Sequence, residues 1–146
     1  MAVLKGDKKV FAVRFTDDAS AEQTLRVLYQ TSGGRSISRD EIEISTKDID
    51  GTDYGAKEET ISFEGLMSKD DPALSRLKED IRAGRYAEIL EIDIESLEAE
   101  VGKYMLSSFE MEFPDEESAT YSVEAKLIGD TTMETLEAVP AGATSI

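Results

Sequence analysis

Ser108-Phe109-Glu110-Met111-Glu112-Phe113, the turn Pro114-Asp115-Glu116-Glu117-Ser118, and then Ala119-Thr120-Tyr121-Ser122-Val123-Glu124-Ala125-Lys126-Leu127 set the reading of the whole chain. Phe109, Met111 and Phe113 alternate with Ser108, Glu110 and Glu112; Tyr121, Val123, Ala125 and Leu127 alternate with Ser122, Glu124 and Lys126. Successive side chains of a strand point to opposite faces, so each run has one apolar and one polar side. The pattern predicts two long strands, 103–113 and 119–129, paired antiparallel through a turn of residues that favour turns.

The same period recurs upstream. Ala87 to Ile94 places Leu90, Ile92 and Ile94 inward against Glu91 and Asp93, and Glu58 to Leu66 places Ile61 and Phe63 opposite Thr60, Ser62 and Glu64. Asp40 to Thr46 sets Ile42 and Ile44 inward against Glu41, Glu43 and Ser45. Lys9 to Phe15 and Thr24 to Tyr29 complete the set, separated by Asp17-Asp18-Ala19-Ser20 and closed by the turn signal Ser32-Gly33-Gly34. Glu95 to Val101 fits a strand or a short helical turn. Asp71-Pro72 opens the one helix, with a capping carboxylate, proline at the first helical position, Leu74, Leu77 and Ile81 on one face, and Gly84 as the stop. Arg82 and Arg85 complement the negative end of its dipole.

The prediction is therefore a mainly β fold, an antiparallel β-sandwich or barrel of about seven strands with one flanking helix over 71–84. A chain of 146 residues holds a single core. That core is expected within 1–130, with a long polar loop at 47–57 carrying Gly51 and Gly55, and a flexible tail at 131–146.

Composition removes several function classes. The chain has no cysteine and no histidine, which excludes disulfides, thiolate metal sites, histidine triads and imidazole-ligated metals. A formal net charge of −16 opposes counterion-release binding to nucleic acid. No run approaches the roughly 18 apolar residues of a membrane span, so no membrane anchor is expected, and the simplest reading is a cytosolic protein.

Motifs with chemistry are few. Asp48, Asp50 and Asp53 resemble the start of a calcium loop, with Glu59 at the twelfth position from Asp48. Glycine falls at the fourth position of that loop where an EF-hand needs it at the sixth, and strands flank the loop where helices should be. A calcium-binding β-sandwich module is the alternative this leaves open. Carboxylate pairs suited to glycoside hydrolysis can be drawn almost anywhere in so acidic a chain, so a carbohydrate enzyme ranks below both. The more informative feature is the repeat of carboxylates at two-residue spacing: Glu41 and Glu43, Glu91 and Asp93, Glu110 and Glu112. Such a face is either a solvated surface that protects edge strands, or the lining of a closed channel in a ring, where the fields add. The lining candidates are Glu41, Glu43, Glu110, Glu112 and Glu124.

The order and spacing of these segments resemble the major tail protein (tail tube protein) family of long, non-contractile-tailed phages. The stretches that carry the likeness are the opening Met1-Ala2-Val3-Leu4-Lys5-Gly6, then Ser38-Arg39-Asp40-Glu41-Ile42-Glu43-Ile44-Ser45-Thr46-Lys47-Asp48 with the loop after it. Met105-Leu106-Ser107-Ser108-Phe109-Glu110 and Ala119-Thr120-Tyr121-Ser122-Val123-Glu124, with the Gly129 ending, complete it. The resemblance implies a structural virion protein, with no enzymatic activity and no cofactor. Its subunits would form hexameric rings stacked into a helical tube, with inner strands joined across subunits. The loop bearing Asp48, Asp50, Asp53 and Tyr54, and both termini, would reach neighbouring rings. Implied partners are further copies of the chain, a tape-measure protein, and tail tip or baseplate and tail terminator proteins. DNA would pass through an acidic lumen without specific binding. Assembly would take place in the cytoplasm of a bacterial host. Another head or baseplate component is the related alternative, since fold alone does not fix a place in the virion.

Overall fold

The computed structural model describes residues 5–16, 22–48 and 50–140. After a 3-10 turn at Gly6–Lys8 come β1 (Lys9–Thr16), β2 (Glu22–Arg26), β3 (Gln30–Ser45) and β4 (Asp50–Leu66), then α1 (Pro72–Ala83), then β5 (Ala87–Asp93), β6 (Glu98–Glu112) and β7 (Thr120–Thr135). The seven strands and single helix are those expected. They form one antiparallel sheet in the order β2-β1-β5-β6-β7-β4-β3. β6 and β7, whose alternation is the plainest in the sequence, pair from Lys103↔Ile128 to Glu112↔Thr120.

The sheet curls on itself. β1 and β4 stand four places apart, roughly 19 Å in a flat sheet, yet the rings of Phe11 and Phe63 stack with centroids 4.9 Å apart. This gives the barrel-like form of the expected architecture, a single rolled sheet with one open seam between β1 and β3. At the seam the Gln30 amide stands in for a missing strand: its Oε1 accepts from the Phe11 N–H at 2.9 Å, and its Nε2 donates to the Phe11 and Val27 carbonyls at 2.8 Å each.

Phe11, Val13, Ile61, Phe63, Ile89, Tyr104, Tyr121 and Val123 fill the interior with Leu74 and Leu77 of α1. Asp71 fixes the helix: Oδ1 accepts from the Leu74 N–H (3.2 Å) and Oδ2 from the Leu28 N–H (3.1 Å), while the Tyr121 hydroxyl donates to the Leu28 carbonyl (3.1 Å). One carboxylate thus joins the helix cap to the β2–β3 turn. Gly84 ends the helix at φ 71, in the left-handed region where glycine carries no Cβ penalty. A smaller apolar cluster, Ala12, Leu90, Ile92, Ala99 and Val101 with Val10 and Leu136, lies on the opposite face, so β5 is buried on both sides.

Several expectations change. Ser32-Gly33-Gly34 is not a turn; it lies inside β3, and the turn falls at Leu28-Tyr29, with Tyr29 at φ 54. A Cβ on Gly33 would stand 2.7 Å from the Phe11 ring, so that glycine serves a close approach rather than a reversal. The 47–57 loop is strand from Asp50 onward, paired from Ser45↔Asp50 to Arg39↔Lys57. Its alternation was invisible because neither face is buried there, so no apolar period was imposed on it. For the same reason Ile42 and Ile44 are not inward: they are 51% and 36% exposed. Part of the stretch expected as a flexible tail from 131 is strand. Thr132–Thr135 pair with Glu98–Val101, and the Leu136 N–H donates to the Leu97 carbonyl (2.8 Å). An irregularity between Val101 and Lys103, opposite Gly129 at φ 80, breaks the period there and hid the continuation. Residues 141–146 lie outside the described ones. Glu95 to Val101 resolves into a turn, with Asp93 Oδ1 accepting from the Glu95 N–H (2.9 Å) and Leu97 at φ 63, followed by the start of β6.

Candidate assembly interface

β4 leaves its partner β7 at Thr60↔Lys126, but its pairing with β3 continues to Ser45↔Asp50. The result is a two-stranded arm, residues 37–58, that projects beyond the core. It exposes Ile37 (62%), Ile42, Ile44 and Tyr54 (77%). An isolated two-stranded ribbon is marginal in water, so what holds its base matters.

That base is a charged layer where the apolar core ends. Phe63 and Ile61 give way on the inward face to Glu59, then Lys57. Buried Glu59 accepts from Arg35 Nη1 at 2.6 Å, and Arg35 Nε reaches Glu91 at 3.1 Å. Burial pulls the Arg35 pKa down, but Tyr104, Glu91 and Glu59 outweigh it, so the guanidinium pKa is raised overall and the charge is held. Lys57 Nζ meets Asp130 at 2.9 Å, the Gly129 carbonyl at 3.1 Å and Glu59 at 3.8 Å, which ties the arm's root to β7. The bond from Lys57 holds the Asp130 carboxyl below its ordinary range. Arg39 lies over the Tyr54 ring at 5.9 Å and donates to the Gly55 carbonyl at 3.0 Å.

Directly paired residues of antiparallel strands share a face. On that basis Glu110, Glu112 and Glu124 stand together on the outer, non-core face of β6 and β7. The pairings Ser62↔Glu124 and Glu64↔Ser122 carry the face across β4, and Ser36↔Thr60 and Ser38↔Glu58 carry it to β3. The face therefore carries carboxylates among small hydroxyls and the exposed apolar side chains of Leu66, Met105 and Ile128, with Lys126 and Lys103 as its cations. Glu58 and Glu64 belong to it and were not among the residues expected. Glu41 and Glu43 do not join it. They pair with Tyr54 and Thr52, on the side of the arm continuous with the core face.

Asp48, Asp50, Asp53 and Tyr54 sit at or near the arm's end. Asp50 and Asp53 fall on opposite faces of the ribbon, since Asp50 pairs with Ser45 and Asp53 with Ile42. Asp53 Oδ1 accepts from the Tyr54 N–H at 2.7 Å. Among the described residues no group of three or more carboxylates is placed to hold a metal ion. The Arg35–Glu59 pair was missed from sequence, although Glu59 shares the inward register of Ile61 and Phe63, which is the signal that could have found it.

Solved structures share this fold. The chain superposes on the tail of an empty GTA particle, computed with C6 symmetry, at TM-score 0.73, with 13% identity over 90% of this chain and 99% of that one. The SPP1 tail tube gives TM-score 0.71 and 15% identity over 91% and 82% of the two chains. The baseplate of the anti-feeding prophage gives 0.61 and 8% identity over 94% and 99%. At these identities the likeness establishes the fold alone. No curated protein sequence matches the chain. A family profile described as phage tail tube protein does match, over residues 3–133, which takes in the arm, its charged base and the carboxylate face together. The chain belongs to the phage tail tube protein family, whose members are structural components of the virion tail rather than enzymes.

Proposed function

We propose that this chain is the repeating subunit of a tail tube, assembling with further copies of itself into stacked hexameric rings. The observation that carries the reading is the arm: a β-ribbon with both faces in solvent, four large apolar side chains exposed, and an unpaired outer edge along β3. Such an edge is a template for pairing with another chain. A contact between two different surfaces of one subunit generates rings or open helical filaments. The C6 symmetry of the similar GTA tail supports six subunits to a ring.

In this reading the face bearing Glu58, Glu64, Glu110, Glu112 and Glu124 lines the bore. Phosphates would meet carboxylates and hydroxyls there, so duplex DNA slides instead of binding. Asp48, Asp50, Asp53 and Tyr54 at the arm's end contact a neighbouring ring. A tape-measure protein occupies the bore before DNA does, and tail tip and terminator proteins close the two ends. Assembly takes place in the host cytoplasm. The test is electron microscopy of purified protein at low and high concentration. Tubes of uniform width that lengthen with concentration are expected, and particles that remain single even when tail tips are supplied as seeds would overturn the proposal. The likeness to a baseplate structure favours one rival, a component of fixed ring number. Closed rings that never lengthen would select it.

A further inference from the structure

The C-terminal half of α1 reverses the charge of the molecule. Residues 76–86 hold four basic and two acidic residues, against twelve basic and thirty acidic in the rest of the chain. Asp80 is buried and meets the Nε of Arg76 at 3.1 Å and of Arg85 at 3.2 Å, so those two guanidiniums are already engaged. Lys78 and Arg82 make no ion pair among the described residues, nor does the exposed Glu79. Arg82, in the last turn, complements the helix dipole. Lys78 lies mid-helix, one turn before Arg82 on the same side, where two like charges disfavour the helix. Nothing within the chain accounts for that pair.

The end of the arm carries the complement. Glu41 pairs with Tyr54, Glu43 with Thr52 and Ser45 with Asp50, so Glu41, Glu43 and Asp50 share one face. These three carboxylates are also without an ion pair among the described residues. Residues 41–54 hold five acidic residues and one basic. The spacings agree: alternate residues of a strand repeat about every 6.7 Å, and residues four apart on a helix about every 6 Å. The two rows cannot meet in one chain. Past the end of α1, Ala87 pairs with Tyr104 and Tyr104 with Leu127, a level one residue beyond Lys126↔Thr60. Thr52, opposite Glu43, lies eight residues past Thr60 along β4, about 27 Å farther on.

We infer that the Glu41, Glu43 and Asp50 face of one copy's arm docks on the Lys78 and Arg82 side of α1 in the next copy. The inference rests on the tube reading and deepens it by naming the surface that receives the arm. Subunits of charge −16 repel one another, so a contact that sets unpaired cations against unpaired carboxylates selects the one approach that the field favours. The other acidic stretch, the turn at Asp115 to Glu117, is a short connection between β6 and β7, whereas the arm projects and is a two-stranded ribbon marginal without support. The two surfaces differ, so the contact is head-to-tail. It leaves Ile42 and Ile44, on the opposite face of the arm, facing away from α1.

The test uses the full chain. Glu41→Lys with Glu43→Lys, and separately Lys78→Glu with Arg82→Glu, should each raise the concentration at which tubes appear roughly tenfold or more while the free subunit stays folded. A chain carrying all four changes should assemble again. Lys78→Gln with Arg82→Gln, which places no acid near the helix end, should shift the onset in the same direction. In the unaltered protein, a carbodiimide, which joins a lysine amine to a carboxylate it touches, should couple Lys78 to Glu41 or Glu43 between a labelled and an unlabelled copy. Normal tubes from the altered pairs, or no recovery in the fourfold variant, would overturn the inference and leave the tube reading intact. Coupling of Lys78 to Glu116 or Glu117 instead would assign the turn as occupant and overturn it too. Coupling to the arm without tubes would uphold the contact and reject the tube. Absence of both rejects both.

Discussion

Replacing Ile42 and Ile44 together with alanine separates assembly from folding. Each change removes three carbons, worth about 2.4 kcal/mol if fully transferred from water. In the free subunit Ile42 is 51% and Ile44 36% exposed. Only those fractions remain to be buried by a neighbour, which leaves about 2 kcal/mol per contact for the pair. At about 1.4 kcal/mol per tenfold, the concentration at which tubes first appear should rise roughly 30-fold. The parts of Ile42 and Ile44 already covered within the free subunit set an upper limit of about 2.7 kcal/mol on the pair's cost to folding. For each residue that is less than the loss of about 2–5 kcal/mol expected of Ile61→Ala in the core. The assays are sedimentation across a concentration series and thermal unfolding of the same preparations. An unchanged onset concentration would refute the claim that the arm's isoleucines are contact residues. A fall in melting temperature larger than that of Ile61→Ala would refute the claim that they lie outside the core.

Asp71→Ala removes a helix cap and leaves the Leu28 N–H without its acceptor, so a loss of about 2–3 kcal/mol is expected by chemical denaturation. Burial, the largest influence, raises the Asp71 pKa above its ordinary value, so the folded state holds that proton more tightly than the unfolded chain. Its contribution to stability therefore falls as pH rises through the window above the usual aspartate range, and unfolding curves of Asp71→Ala should lack that slope. Changing Glu110, Glu112 and Glu124 together to lysine should leave the fold intact but make tubes retain duplex DNA, with retention in co-sedimentation weakening steeply between about 50 and about 200 mM salt. Lys57→Met removes the tie between the arm's root and the Gly129 carbonyl and Asp130, and amide exchange in residues 50–58 should quicken while the core's does not.

Where one face of a strand is buried, the sequence announced it. The alternations of β1, β6 and β7 and the Asp71-Pro72 start of α1 were all legible, because burial imposes a period and capping imposes a residue type. The arm was not, because Asp50 to Lys57 pairs by backbone alone and nothing constrains its side chains. Ser32-Gly33-Gly34 misled for the opposite reason: one glycine there answers to a ring five strands away along the sheet, a contact that no local window contains. Of the acidic residues singled out, Glu110, Glu112 and Glu124 do share a face. Glu41 and Glu43 were grouped with them only because two-residue spacing shows which residues of one strand share a side, not which sides of separate strands coincide.

The grip of Lys57 on the Gly129–Asp130 bulge has a mechanical meaning. A pull on the arm's tip runs along the length of β4 and is handed at once to β7, a strand near the middle of the sheet. The seven facing pairs from Thr60↔Lys126 to Leu66↔Thr120 lie crosswise to that pull, so they are strained together in shear instead of opening one by one like a zipper. Wherever neighbouring copies hold one another by this arm, tension between them would therefore load each subunit along its stiffest direction.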